Sequence, residues 1–414
     1  MNVQRHAWLI VALLIPVALL NYLDRQMLAA MKFSVMQDIP GIDQEANWGK
    51  ILALFKWTYA ILSPIGGYLS DRFSRRHVVA GSLFVWSFIT WTTGHVQTYE
   101  QLLWTRAVMG ISEALYIPAA LALIADFHNG PTRSKAVGLH QMGIYLGVIL
   151  GGFSGYAADH PDLGWRWAFD LCGVIGLLYS IPLFFLLKNP VVSADAVVVK
   201  QSPWKAMAEL LGNRSFILLV MYFTLPALAG WVVRDWMPAI LKAEFGIGQG
   251  KAGVSATLYW QVAAIFGAII GGSLADRWMR RSNRGRIHVS ALGMAMIVPA
   301  MFGVGFSPQT GHLSVAIAFL ILFGLGWGFF DCNNMPILCQ IARPDLRATG
   351  YGLMNFASIS CGGFADYGFG ILRDHKVPLF GIFGIFASVA VISVILVLLI
   401  RPQHADAGAA PISH

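Results

Sequence analysis

Gly67-Tyr-Leu-Ser-Asp71-Arg72-Phe-Ser-Arg75-Arg76 returns 205 residues later as Gly272-Ser-Leu-Ala-Asp276-Arg277-Trp-Met-Arg280-Arg281. One glycine, one aspartate and three arginines recur at the same spacing. The offset is half the chain, so the two halves read as copies of one unit. A glycine here permits close helix contact. The aspartate can accept hydrogen bonds from a neighbouring helix N-terminus, and the arginines keep the loop at an aqueous surface.

Outward from these loops, apolar stretches of spanning length, about 20 residues, recur through the chain. They fall at 7–30, 48–70, 77–95, 101–125, 134–158 and 166–188, then at 214–240, 252–274, 286–306, 312–338, 349–371 and 378–400. The expected fold is an all-α membrane protein with twelve transmembrane helices in two six-helix bundles. The first bundle covers 1–188, a cytoplasmic linker 189–213, the second bundle 214–403, and a disordered tail 404–414. Composition agrees. Of 414 residues 57% are hydrophobic and 12% charged, against about 25% charged in a soluble domain, and mean hydropathy is +0.62. That excludes both a soluble fold and intrinsic disorder, because there is too much apolar surface to leave wet.

The net charge of +8 would in a soluble protein suggest nucleic acid; in a membrane protein it is better explained by basic cytoplasmic loops. With the N-terminus inside, eighteen Lys and Arg fall on the cytoplasmic face and seven on the other, which places both termini in the cytoplasm. Arg25, Lys56, Arg106 and Arg234 remain within the spans. The first apolar run continues past Asn21 with no small-residue cleavage site, so it is expected to be an uncleaved helix. Cys172, Cys332, Cys339 and Cys361 sit in apolar stretches without metal-ligand spacing and are expected to be buried free thiols.

The pattern Gly-x-x-x-Asp-Arg-x-x-Arg-Arg in both loops (Gly67, Asp71, Arg72, Arg75, Arg76 and Gly272, Asp276, Arg277, Arg280, Arg281), with twelve spans in two halves, resembles the major facilitator superfamily. Ser74 stands where that superfamily usually has glycine. The resemblance implies two six-helix bundles rocking about a central site, and a cytoplasmic gate built on this motif.

Ionisable groups inside a bilayer cost about 2.5–3.5 kcal/mol each on insertion scales. The first span holds Asp24 and Arg25, and the fourth holds Arg106 and Glu113, seven residues apart and therefore on one helix face. Opposite directions of the two spans bring all four to one cavity. They could merely neutralise each other as a structural network. In the functional alternative Arg25 or Arg106 grips an anionic solute bidentately, while Asp24 and Glu113 exchange a proton. Burial favours the neutral acid and a neighbouring guanidinium the carboxylate, so protonation would release an arginine for the solute.

Asn21-Tyr-Leu-Asp24-Arg25 with Arg106…Glu113 further resembles the anion:cation symporter branch of the superfamily, which carries sugar acids and other organic anions. That resemblance implies Asp24 and Glu113 as coupling acids, Arg25 and Arg106 as substrate-facing cations, and Tyr59 as a substrate contact. Asn333-Asn334-Met-Pro336 and Tyr351-Gly-Leu-Met-Asn355 also look like that branch. Spinster-like lipid transporters share an Asp-Arg in the first span.

Further candidates have a plain alternative each. Lys56, three residues before Tyr59, could face the cavity or snorkel. Arg234 and Asp235 could neutralise each other near the outer surface. Asp331, with Asn333, Asn334 and Gln340, makes the tenth span polar enough to line a cavity. Asp366 is a second possible protonation site or Na+ ligand. Tyr116, His140, Gln141 and Asn355 could touch substrate or simply pack. Gly143, Gly147, Gly151, Gly152 and Gly155 give the fifth span a face for close packing. Trp8, Trp48, Trp165 and Trp167 are expected as interfacial anchors.

These features together predict a secondary active transporter, not an enzyme. Its expected activity is proton-coupled uptake of a small organic anion, a hexuronate, aldonate or sialic-acid type of sugar acid. The alternatives are a spinster-like lysolipid or amphiphile carrier, or sodium in place of the proton. No phosphate loop, Gly-x-Ser-x-Gly or His-Glu-x-x-His pattern points to ATP-driven or hydrolytic chemistry. No metal or cofactor beyond the coupling ion, and no nucleic-acid partner, is expected. The chain should be a monomer in the bacterial inner membrane.

Overall fold

The computed structural model describes residues 3–128, 132–188, 203–343 and 346–402; the side chains of 3–4, 65–72, 133–134 and 203 also lie outside the described residues. Gly67, Asp71 and Arg72 of the first repeat therefore fall outside the description, as do the 404–414 tail and most of the 189–213 linker. Everything described is helix or short connection, as a bilayer demands of backbone groups that have no water to bond.

In chain order the helices are α1 (Val3–Ala30), α2 (Lys32–Asp38), α3 (Glu45–Arg72), α4 (Arg75–Thr93), α5 (Tyr99–Glu113), α6 (Tyr116–Phe127), α7 (Arg133–Asp159) and α8 (Gly164–Leu186). They continue as α9 (Pro203–Gly212), α10 (Arg214–Phe245), α11 (Gln249–Met279), α12 (Gly285–Thr310), α13 (Leu313–Ile341), α14 (Arg347–Asp374) and α15 (Leu379–Leu399). Twelve spans result once α5 and α6 count as one, with α2 and α9 as short extra helices that apolar periodicity does not reveal. Among the described residues, nine of these are by length and composition apolar enough to cross a membrane; α3, α4 and α14 are the more polar ones. The α5–α6 break falls at Ala114–Leu115. Pro118 explains it, since its ring clashes with the carbonyl four residues back, that of Ala114.

Burial runs opposite to a soluble helix. α8 buries Gly173, Gly176 and Ser180 while Leu178, Ile181, Phe184 and Phe185 face outward, the pattern of helices that pack through small residues and meet lipid with large ones. A Cβ at Gly173 would lie 2.5 Å from the backbone of Trp91 on α4. On α7 the expected glycine face is present. Cβ atoms at Gly143, Gly147 and Gly151 would strike the carbonyl oxygens of Ile15, Leu19 and Leu23 at 2.7, 2.3 and 2.7 Å. Each step advances four residues on both helices, so α1 and α7 lie parallel and in register.

By internal contacts the chain forms two compact units. One comprises Met1–Ala196, Val232–Thr257 and Gly362–His375; the other comprises Val197–Trp231, Leu258–Cys361 and Lys376–His414. In the first, an apolar core joins α1, α4, α6, α7 and α8 around Leu14, Leu83, Trp86, Tyr116 and Leu123. In the second, α12 packs on α13 and α15, with Gly293 against Phe329 and Gly305 against Phe383.

Three expectations need correction. Trp48 and Trp165 are buried, and Trp165 donates to Asp38 (3.0 Å), so neither is an interfacial anchor. The four cysteines are free but only half-buried. Gly272 has open space beside its Cα, so it does not mediate a tight helix contact.

Candidate functional site

α1 and α5 carry the first unit's central charges. Arg25 donates from Nε to Glu113 Oε2 (2.6 Å), and its Nη2 lies 2.5 Å from the same oxygen. Nη2 also donates to Asn21 Oδ1 one turn back (3.2 Å). Three rings enclose the guanidinium: those of Tyr22 and Phe55 at 4.7 Å and that of Tyr59 at 5.0 Å. Such cation–π packing keeps water off the ion pair and strengthens it.

Asp24, on the adjacent face of α1, is buried and accepts from Thr90 Oγ1 of α4 (2.9 Å). Arg106 is buried too, and its Nε and Nη2 have no hydrogen-bond acceptor; neither do Asp24 Oδ1 and Glu113 Oε1 have a donor. Arg106 is attracted by Asp24 and Glu113 and repelled by Arg25. The four groups therefore balance in charge, two against two, while several of their donors and acceptors stay unused. Buried polar atoms in that condition are costly.

The predicted quartet of Asp24, Arg25, Arg106 and Glu113 thus meets, and Tyr59 joins it. Lys56 does not. Although three residues from Tyr59, it is buried and pairs with Asp235 of α10 and Asp366 of α14. It does not snorkel, and Asp235 is a buried partner of Lys56 instead of half of a surface pair with Arg234. The Arg234 guanidinium stands 5.6 Å from the Tyr22 ring, and its carbonyl accepts from Gln26 Nε2 (3.1 Å).

Tyr116 and His140 form a separate buried pair (2.8 Å), with the Tyr116 hydroxyl also 3.2 Å from the Leu14 carbonyl; Gln141 is half-buried beside it. Asp331, Asn333, Asn334 and Asn355 belong to the second unit. There Asn333 donates to the Phe329 carbonyl (2.9 Å), whereas both amide atoms of buried Asn334 lack partners. Asp331 is exposed and Asn355 half-buried.

At the repeat loops, Arg75 pairs with Asp126 at the end of α6. In the second copy Asp276 faces the Arg286 side chain at 3.5 Å, so its partner is a side chain rather than a helix N-terminus. Arg277, Arg280 and Arg281 are exposed.

At the other end of the first unit, Lys32 pairs with Glu45. Burial pulls the Lys32 ammonium below the ordinary lysine range, and Glu45 opposes that pull. Asp374 accepts from the amide nitrogens of Glu45 and Ala46 at 2.8 Å each.

Sequence reasoning passed over Tyr22, Phe55, Thr90, Asp126 and the role of Asp235. Tyr22 was findable, three residues before Arg25 and so on its face. Thr90 and Asp126 carry no local signal, because their partners lie 66 and 51 residues away.

Among known proteins the chain is 27% identical to protein spinster homolog 1 of Bos taurus over 373 residues, covering 83% of this chain and 68% of that one. It is 28% identical to protein spinster of Drosophila melanogaster over 84% of this chain and 58% of that protein. It is 25% identical to a sphingosine-1-phosphate transporter of Mus musculus over 82% and 64%. In fold it is similar to a bacterial homolog of the human lysosomal transporter spinster in an inward-facing, unoccupied conformation, with TM-score 0.76 and 18% identity over 95% of both chains. It is similar also to a D-xylose-proton symporter, with TM-score 0.75 and 16% identity over 95% and 97%. The sequence model of the Major Facilitator Superfamily matches residues 14–365, and with its twelve spans, repeated loops and buried charges the chain belongs to that superfamily of transporters.

Proposed function

We propose that this protein is a secondary transporter of a single-chain amphiphile with an anionic head group, moved by alternating access and coupled to protons. The names of its relatives, spinster and a sphingosine-1-phosphate transporter, favour an amphiphile over the sugar acid that the Asn21–Arg25 stretch suggests. The observation that carries this reading is the Arg25–Glu113 pair under the rings of Tyr22, Phe55 and Tyr59, next to an Arg106 with unused N–H groups. A phosphate-type head group would match two guanidinium donors, and the aromatic rings would meet the first carbons of a tail.

Glu113 accepts a proton from hydronium, which leaves as water, and so releases Arg25. Arg25 and Arg106 then take the head group, and Asp24, held by Thr90, keeps the cluster neutral. Loss of the proton restores the Arg25–Glu113 pair and expels the anion. Protons rather than sodium are the coupling ion in this scheme, because the positive charges of Arg25 and Arg106 beside the two carboxylates would repel a metal cation. The chain works as a monomer with both termini cytoplasmic in a bacterial inner membrane.

A thermal-stability screen of the purified protein in detergent tests the substrate class, since a ligand of the folded state raises the melting temperature by mass action. Lysolipids and phosphorylated long-chain bases should raise it, more at mildly acid than at neutral pH; a rise with hexuronates or aldonates alone would reinstate the sugar-acid reading. Glu113→Gln should abolish uphill accumulation but keep exchange, and accumulation by that variant would remove Glu113 from coupling. Arg106→Ala should lose binding altogether.

A further inference from the structure

We propose that Asp235 and Asp366 hold one exchangeable proton between them around the Lys56 ammonium, forming a proton site separate from the Asp24–Arg25–Arg106–Glu113 cluster. Three segments of the first unit meet there: Lys56 of α3 pairs with Asp235 of α10 and with Asp366 of α14. The Lys56 and Asp366 side chains are 3% and 0% exposed, and that of Asp235 11%. One ammonium thus faces two carboxylates in a dry interior.

An uncompensated charge in such surroundings is neutralised, and two carboxyls that meet do so by sharing a proton. Asp366 supplies an independent sign. Its Oδ1 is buried without a hydrogen-bond partner, and its carboxyl meets that of Asp235 across the one ammonium that both bond. A proton on one acid gives that contact its donor. The ammonium already fills the position between the acids, so a metal cation there would be repelled.

Among the described residues the neighbouring charges have these partners. Those acting on Asp366 are Lys56 and Asp235. From α10, Arg234 reaches the Tyr22 ring and Glu244 pairs with Arg373; from α14, Asp374 caps Glu45 and Ala46; from α3, Glu45 holds Lys32. From α1, Arg25 is committed to Glu113.

The proton comes from hydronium, forming an O–H bond at one carboxyl, and leaves to water by the reverse step. Water reaches the site only when α3 and α14 part. They are packed without a gap: a Cβ at Gly49 would lie 2.6 Å from the Asp366 carbonyl oxygen, and one at Gly363 2.5 Å from the Trp57 indole. Proton release is thereby tied to separation of these helices. The site itself does not depend on which solute is carried.

Infrared spectroscopy of the full-length protein in lipid nanodiscs, without solute, tests the assignment. In an Asp24→Asn/Glu113→Gln background the carbonyl band of a protonated, buried carboxylic acid should persist at neutral pH and shift in heavy water. Adding either Asp235→Asn or Asp366→Asn should abolish it, because each leaves one ammonium with one carboxylate. A band absent from the background, or surviving both additions, overturns the proposal; so does a missing band together with a melting temperature raised by sodium. If Asp366→Asn does not fold, Asp235→Asn, at the edge of the cluster, decides alone. Because no solute is present, failure here leaves the amphiphile reading untouched, and failure of the solute screen leaves this site untouched.

Discussion

Asp24, Arg25, Arg106 and Glu113 set two cations against two carboxylates, whereas a few turns away on the same unit one ammonium, that of Lys56, pairs with both Asp235 and Asp366. Burial is equally deep in both places. What differs is balance and completion. The quartet is neutral but leaves N–H groups and oxygens unused. The triad is closed around its ammonium and is short of one positive charge, so it has room for a proton. Burial by itself therefore says little about what a charged cluster does; the count of opposite charges and of unused hydrogen-bonding atoms says more.

Lys56→Met would break the comparison most severely. It leaves two buried acids without a cation and should cost about 3–5 kcal/mol, read as a lower melting temperature in detergent and partly restored by adding Asp366→Asn. A loss as small as that of an exposed pair would mean that the triad is already solvated. Gly49→Ala comes next. Its new methyl meets the α14 backbone at 2.6 Å and should cost about 1–3 kcal/mol, while solute affinity at the quartet stays at the wild-type level; a change in affinity would show that the two clusters move together.

Thr90→Val removes the donor to Asp24 and should cost about 1.5 kcal/mol, with a measurable change in the pH dependence of solute binding. An unchanged profile would take Asp24 out of the coupling scheme. Arg343→Ala, at an exposed pair with Glu209, sets the baseline. It should cost below about 1 kcal/mol, and a larger effect in the same melting assay would mean that α9 is anchored more firmly than one surface ion pair explains.

The two clusters were unequally legible in the sequence. Asp24–Arg25 and Arg106…Glu113 are local patterns: charges in apolar runs, at helical spacing, in spans whose directions alternate. Helical geometry alone brings them to one depth. Lys56 pairs across 179 and 310 residues, and no periodicity links positions so far apart. Asp235 was read with its neighbour Arg234, yet successive helical residues point about 100° apart, and packing sent the two to different partners. The tryptophans misled for a related reason. A ring at the end of a span suits an interface, but Trp48 and Trp165 lie where other helices cover them.

Twelve spans are legible in the apolar runs, because runs of spanning length in a bilayer have no other way to satisfy their backbone; the split of the fourth span into α5 and α6, and the short α2 and α9, are not. Even the α7 glycine ladder against α1 was readable as a face. Which charge answers which is set by packing, since an ion pair depends on a few ångströms between distant segments while a helix depends on neighbours four residues apart.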